Sequence, residues 1–493
     1  MKHVVVVGAG FGGLAAAIHL RRRGARVTVL EKNDHLGGKV DQWSSGGYRF
    51  DTGPTLLTMP DVVRDAFSAA GMRLDDHLEL VRLDPLCRYR FADGSMLDAS
   101  DDPAVMESRV AAFSPADAGR YRRFREHAER VYGAAAKPLL FTPFGSLRAR
   151  ELVRNAGMAP AVLRLDAFRT LHRAVASFFR DPRLHQLFDR FATYNGSSPY
   201  LAPATLAVIP YVEFHFGGWY VRGGMARLAS ALGDAARSAG AEIRTGTAVE
   251  RIESASGTVS GVRLAGGERI AADAVVCNAD AMYAQEALLD GSGRSRTPRR
   301  TPEPSLAGFV LLLGVRKRFE QLAHHNVFFS GDYEGEFRAL VGWGEVAADP
   351  TVYVSVSANA DPGHAPAGGS NLFVLVNAPH LGGRARWDDG GRSYRDLVIR
   401  LLERRGLEGL SGAIEVERLI TPDMFAARYN AYRGSIYGTS SNSMFAAFRR
   451  PPNRSKSLRR LYFAGGSAHP GGGIPLVLLS GSMAAGLVAE DLL

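Results

Sequence analysis

Four valines in a row, Val4–Val7, run into the glycine turn GAGFGG, and an alanine- and leucine-rich stretch follows as far as Arg23. A β-branched run predicts a buried strand, the stretch after the turn predicts a helix, and Gly24 stops it. ARVTVL (25–30) then reads as a second strand, closed by Glu31. The same pattern returns at the far end. LRRLYFAGGSAHPGGGIPLVLLSGSMAAGLVAEDLL (458–493) reads as strand, glycine loop and helix, the helix starting near Pro475.

Between these ends the pattern changes twice. YVRGGMARLASALGDAARSAGAEIRTGTAVERIE (220–253) predicts a helix after Gly223-Gly224, then a strand pair, and ERIAADAVVCNAD (268–280) predicts a further strand ending in the small turn Asn278-Ala279-Asp280. FVLLLGV, HNVFFSG, TVYVSVSA and NLFVLVNA are short β-rich runs parted by Gly, Pro, Asp and Asn, and they predict a mostly antiparallel sheet. Residues 116–215 read as mostly helical, with Leu163, Phe168, Leu171, Val175 and Phe178 on one face and Arg164, Arg169, Arg173 and Arg180 flanking it. GSGRSRTPRRTPEP (291–304) reads as a mobile basic loop.

The first unit carries chemistry. Gly8, Gly10 and Gly13 hold the G-x-G-x-x-G positions between strand and helix. The first glycine permits the tight turn, the second admits a pyrophosphate to the backbone, and the third lets the helix pack close to the strand. The free N–H groups and partial positive charge of the helix start favour the phosphates, and Glu31 is spaced to accept ribose hydroxyls. Strand, triplet, helix and acid in register predict a dinucleotide site. Gly37-Gly38 adds another close backbone approach, and Lys39 a charge able to neutralise pyrophosphate.

With EKNDHLGGKV and GGYRFDTGPT following, residues 4–60 resemble the N-terminal fingerprint of the flavin-containing amine oxidase and phytoene desaturase superfamily. The resemblance implies an extended FAD held by both ends of the chain. It places Lys32, Gly38, Lys39, Gly53 and Pro54 at the cofactor, the backbone of Val249 at the adenine and Asn278 at the pyrophosphate. Gly465 and Gly466 would approach the ribityl and pyrophosphate region, and Gly472, Gly473 and Ile474 the flavin ring, with the helix start aimed at it. Gly465-Gly466 stands where many flavoproteins carry Gly-Asp, and Lys39 stands where an arginine is usual.

Among members of the superfamily, GGSAHPGGGIP lacks the acid and aromatic of amine oxidases and resembles the G-x-x-H-P-G-[AG]-G-I-P tail of bacterial carotenoid desaturases. That resemblance implies removal of two hydrogens from an allylic CH2–CH2 unit of a long polyene, one as hydride to the flavin and one as a proton. A terminal-methyl oxidase of diapocarotenoids shares the tail and stays open as an alternative. A flavin amine oxidase is a third reading, and a flavin-binding scaffold without turnover a fourth. His469 is the titratable group of the loop and the candidate acid or base, set against a packing role. No metal-ligand cluster stands out.

Composition refines this. At 493 residues, 46% apolar and 22% charged, the chain fits two or three soluble lobes. The predicted fold is α/β: a discontinuous Rossmann-like FAD-binding domain (1–82, 216–284 and 456–493), a mixed or antiparallel β-sheet substrate domain (83–115 and 285–455) and a helical lobe (116–215). Two cysteines, Cys87 and Cys277, give no disulfide framework and point to a reducing compartment. The net charge of +10 is concentrated between Arg120 and Arg190, where fifteen Lys or Arg face six Asp or Glu. No nucleic-acid motif accompanies it, and the C-terminal apolar run reads as a packed helix rather than a membrane span. A hydrophobic carotenoid partner together with a basic, apolar-faced lobe predicts peripheral docking on the inner face of the cytoplasmic membrane.

Overall fold

The computed structural model describes residues 1–143, 165–289, 302–444 and 446–493. Its organising element is a five-stranded parallel sheet drawn from distant parts of the chain. The strands are β1 (His3–Val7), β2 (Arg26–Leu30), β3 (Glu242–Arg244), β4 (Ala274–Cys277) and β5 (Leu461–Phe463). Their spatial order is β5-β4-β1-β2-β3. In register, Val4 lies between Val27 and Ala274, and Val7 between Leu30 and Cys277.

A central parallel strand is covered on both faces, which is why the valine run is continuous rather than alternating. Val4 and Val6 pack with α1 (Phe11–Arg22), α2 (Met225–Ser238) and α3 (Ile474–Leu492). Val5 and Val7 face the opposite way, onto Ile252, Val259, Val262 and Leu264 of a three-stranded antiparallel sheet spanning residues 249–271.

The four β-rich runs of the middle enter a seven-stranded sheet. Its order is Ile414–Ile420, Ala307–Val315, Ser370–Ala378, Val352–Ser355, His325–Phe328, Cys87–Arg90 and Met96–Ala99. All neighbours are antiparallel except His325–Phe328 with Cys87–Arg90. One face packs on the helix Arg392–Arg404, and the other on Tyr48 and Phe50 of the N-terminal hairpin. The helices Arg120–Ala135, Leu171–Phe178, Pro182–Asp189 and Val208–Phe216 form a third mass around Phe124, Phe188 and Phe214.

Three expectations change. AEIRTGTAVERI forms two strands, but Glu242–Arg244 joins the parallel sheet and Val249–Ala255 the antiparallel one, so they are not a pair. Residues 268–280 also split, into Arg269–Ala271 and Ala274–Cys277, in different sheets. The apolar face drawn through 163–178 is not one helix. Asp166 adopts φ 51°, and its carboxylate accepts from Arg169 Nε at 2.9 Å, which folds this stretch into a turn. Thr170 then caps a new helix, its hydroxyl accepting from Arg173 N at 3.2 Å. Leu171 and Val175 are buried, whereas Phe168 is 69% exposed. Leu163, Arg164 and most of the basic loop 291–304 lie outside the described residues.

Candidate active site

The site is built where α1 and α3 begin. Gly8 holds φ +94°, and its N–H donates to the Leu30 carbonyl at 2.7 Å, which turns β1 into α1. A Cβ at Gly13 would stand 2.1 Å from the Gly8 carbonyl oxygen, so the third glycine sets the helix against the strand as the spacing predicts. Gly10, the N-cap, makes no side-chain cap bond, and no acid occupies the first turn. The amides at this helix start are thus left to an anion.

Glu31 is buried at the end of β2. Its carboxylate accepts from Ala9 N at 2.8 Å and Asn33 N at 2.9 Å, and each oxygen keeps a lone pair for a ribose hydroxyl. Thr247 N, two residues before Val249, donates to the Glu31 carbonyl at 2.7 Å. Lys32 turns to another partner set, donating to Ala427 O at 3.1 Å and Asn430 Oδ1 at 3.2 Å.

Asn278 joins the two ends of the chain. A Cβ at Gly12 or at Gly465 would meet its Oδ1 at 2.5 or 2.6 Å, and its Nδ2 donates to the Gly8 carbonyl at 3.3 Å. Gly38 packs on Gly10 across 3.3 Å from a built Cβ to the Gly10 Cα. Beyond them Lys39 donates to the Ile436 carbonyl at 2.6 Å and the Ser435 carbonyl at 3.2 Å, and burial pulls its pKa down. Gly53 and Pro54 follow the hairpin strand Tyr48–Asp51, with Gly53 facing the Phe373 ring.

The C-terminal loop is held by side chains the sequence pattern did not single out. Asn453 Nδ2 donates to the His469 carbonyl at 2.8 Å, and Ser480 Oγ to the same carbonyl at 2.6 Å, while Ser480 Oγ accepts from Gly465 N at 3.1 Å. Gly466 lies beside Gly472, 3.5 Å from a built Cβ to its Cα. Tyr437 lays its ring over Gly472 and Gly196, where a Cβ would approach it to 2.7 and 3.0 Å. Gly473, at φ +103°, remains exposed and caps α3 without a side-chain bond, and Ile474 is buried as the first helical residue.

His469 is buried. Its Nε2 lies 2.9 Å from the Thr142 carbonyl, which fixes that nitrogen as the N–H donor, and burial lowers its pKa to about 4. The ring is therefore neutral at physiological pH, with its proton committed to backbone. Among the described residues no cluster of His, Cys, Asp and Glu could hold a metal ion.

The glycine turn before α1 and Gly465 of the C-terminal loop therefore meet at Asn278, with the buried Glu31 bonded to Ala9 of the same turn. The sequence profile of the flavin-containing amine oxidoreductases matches residues 11–489. The chain belongs to that family. A 4,4'-diapolycopene oxygenase from Methylomonas is 35% identical over 100% of this chain and 99% of its own length. A phytoene dehydrogenase from Streptomyces griseus is 39% identical over 98% of this chain and 94% of its own. Cyclohexylamine oxidase from Brevibacterium oxydans, 17% identical, shares the fold with a TM-score of 0.61 over 100% of this chain and 99% of that structure. As a member of the flavin-containing amine oxidoreductases, the protein is an oxidoreductase whose cofactor is FAD, and the residues present fit it: glycine backbone at both ends of the chain, free amides at the start of α1 for an anion, and spare lone pairs on Glu31 for a ribose.

Proposed function

We propose that this protein is an FAD-dependent desaturase of carotenoids or apocarotenoids. The observation that carries the reading is similarity along the whole chain, at 35% and 39% identity, to enzymes named for diapolycopene and phytoene. The loop chemistry agrees with it. His469 is neutral and bonded to backbone, so the loop offers no charged acid or base, and the proton of the polyene cation would pass to water.

When bound, FAD accepts a hydride from an allylic carbon, and the second hydrogen leaves as a proton. The residues of the chain do the rest. Asn278 and the start of α1 would hold the diphosphate, Glu31 the ribose, Lys39 would add positive charge, and Gly472-Gly473 with the Tyr437 ring would shape the wall beside the flavin ring. The diapolycopene relative favours a second reading, oxidation of a terminal methyl group.

The experiment is anaerobic. A yellow holoprotein should bleach on addition of phytoene, neurosporene or dehydrosqualene, and the product should have lost two hydrogens. Gain of oxygen at a chain end once air is readmitted selects the second reading. Flavin that stays oxidised with every polyene overturns both.

We also place the protein peripherally on the inner face of the cytoplasmic membrane. Moving a polyene through water costs about 0.8 kcal/mol per CH2, which argues for transfer from lipid. Among the described residues of the helical mass Arg122, Arg123 and Arg130 are exposed, as are Phe141, Phe168 and Leu201. The segments that carry Phe168 and Leu201 are bonded together, Leu171 N donating to Ala202 O and Ala204 N to Arg169 O, each at 2.9 Å.

A further inference from the structure

Arg450 is buried beside the C-terminal glycine loop, and among the described residues no carboxylate is hydrogen-bonded to it. Its guanidinium makes four bonds, all to neutral oxygens. Nη1 donates to the Gly466 carbonyl at 2.9 Å and the Tyr437 carbonyl at 3.4 Å. Nη2 donates to Asn195 Oδ1 at 3.2 Å and the Thr439 carbonyl at 3.3 Å. The residue is 6% exposed, and burial lowers its pKa to about 10, partly offset by the more distant Asp280, so it remains a cation at neutral pH.

Arg190 shows the ordinary arrangement. It too is buried, but its Nη2 donates to Tyr194 OH at 3.1 Å, and that hydroxyl donates to the Glu213 carboxylate at 2.6 Å. A carboxylate stands one hydroxyl away. Arg450 has no such neighbour among the described residues. A buried cation lacking a partner is costly, so its retention here calls for a negative charge that the loaded protein supplies.

A hydrocarbon substrate brings no charge. The cofactor brings two kinds: the permanent charge of the diphosphate and the charge its ring gains on reduction. The diphosphate is provided for by α1 and Asn278. Arg450 sits farther along, against Gly471, where a Cβ would lie 3.4 Å from its Cζ, and its remaining partners reach in from Asn195 and from the Tyr437–Thr439 segment. Tyr437 is the residue whose ring covers Gly472.

Resting on the flavoprotein reading above, we infer that Arg450 is a positioning charge, which acts on the ring end of the bound cofactor and favours its reduced, anionic form. It holds that charge in place through Gly466 and Asn195 rather than by binding substrate. Reduction is thereby made more favourable without a titratable group in the loop.

The test compares oxidised and reduced cofactor in holoprotein. Arg450→Gln keeps donors and removes charge. Asn195→Asp keeps the contact and places a carboxylate on the guanidinium, so it cancels the charge without removing Arg450. Arg450→Lys restores charge. Dye-coupled photoreduction measures the midpoint potential, and sulfite titration gives a reading that needs no polyene. Arg450→Gln and Asn195→Asp should each shift the reduction equilibrium at least tenfold toward oxidised flavin, about 30 mV for a two-electron couple. Sulfite affinity should fall at least tenfold, and Arg450→Lys should recover most of both losses. Should Arg450→Gln fail to fold, Asn195→Asp decides alone. An unchanged potential in Asn195→Asp, or equal weakening of both redox forms, overturns the inference and makes Arg450 a scaffold or diphosphate ligand. A wild-type chain that binds no flavin would overturn the proposed function instead.

Discussion

Asp51 lies in the motif GGYRFDTGPT, yet its carboxylate is spent on structure. It accepts from Met225 N at 2.8 Å and Ala226 N at 3.4 Å and so caps α2, 174 residues away in sequence. Gly224 makes room, since a Cβ there would meet Asp51 Oδ1 at 2.9 Å. Asp51 also lines a small pocket with Thr55, Tyr220 and His324. Burial raises its pKa from 3.8 to about 6, the two amide donors opposing the shift. The folded state therefore binds this proton more tightly than the unfolded chain. Its stabilising contribution is complete below about pH 4 and is lost as the pH rises through 6. Asp51→Asn keeps an acceptor and removes the titration. Relative to wild type it should gain up to about 3 kcal/mol between pH 4 and pH 7, by the conversion of about 1.4 kcal/mol per pKa unit. Denaturation of FAD-saturated proteins across that range measures the difference, and a difference independent of pH contradicts the assignment. Residues such as Asp51 were legible by type. Their partners were not, because hydrogen bonds between Asp51 and Met225, or Arg450 and Asn195, join positions that no local spacing relates.

At the scale of elements, α3 is long and apolar enough to cross a membrane, but its Ile474, Leu478, Gly481, Ala484, Ala485 and Val488 are buried in the core around α1. Gly481 is the closest point of that crossing. A Cβ there would stand 2.1 Å from the Gly12 carbonyl oxygen and 2.8 Å from Ala16 N. Gly486, on the same helix, has nothing within 4 Å of its built Cβ. The same substitution should thus have opposite signs at the two sites. Gly486→Ala should stabilise by up to about 1 kcal/mol through helix propensity. Gly481→Ala should destabilise by about 1–3 kcal/mol and lower FAD content, because the backbone of the cofactor turn has to move. Parallel unfolding curves check the pair, and equal effects would contradict the packing. Both termini were readable because strand, glycine turn and helix are local signals with period and punctuation. The helical mass was read less well. The apolar spacing through 163–178 was real, but Asp166 accepts Arg169 locally and breaks the helix that spacing alone requires. Likewise GTAVERI carries no mark that its strand belongs to another sheet than its neighbour.

For the whole molecule, the proposed docking surface separates charge from cofactor chemistry: the exposed Arg122, Arg123 and Arg130 stand on the helix Arg120–Ala135, outside the parallel sheet. Sedimentation with anionic liposomes at low salt should carry most of the protein down, and neutral liposomes or high salt should release it, at on the order of 1 kcal/mol per arginine near the surface. Protein that remains in the supernatant at low salt contradicts the docking. The parallel sheet has a different consequence, for biosynthesis. Its central strand β1 emerges from the ribosome first and must wait for β4 and β5, the latter ending at Phe463. At about 5–20 residues per second that interval lasts tens of seconds. Until Cys277 is made the valine strand has an open, greasy edge, and from then until β5 arrives the open edge is that of β4. Nascent chains should accordingly depend on chaperones until the last strand is translated, and flavin supply should govern how much polypeptide survives proteolysis.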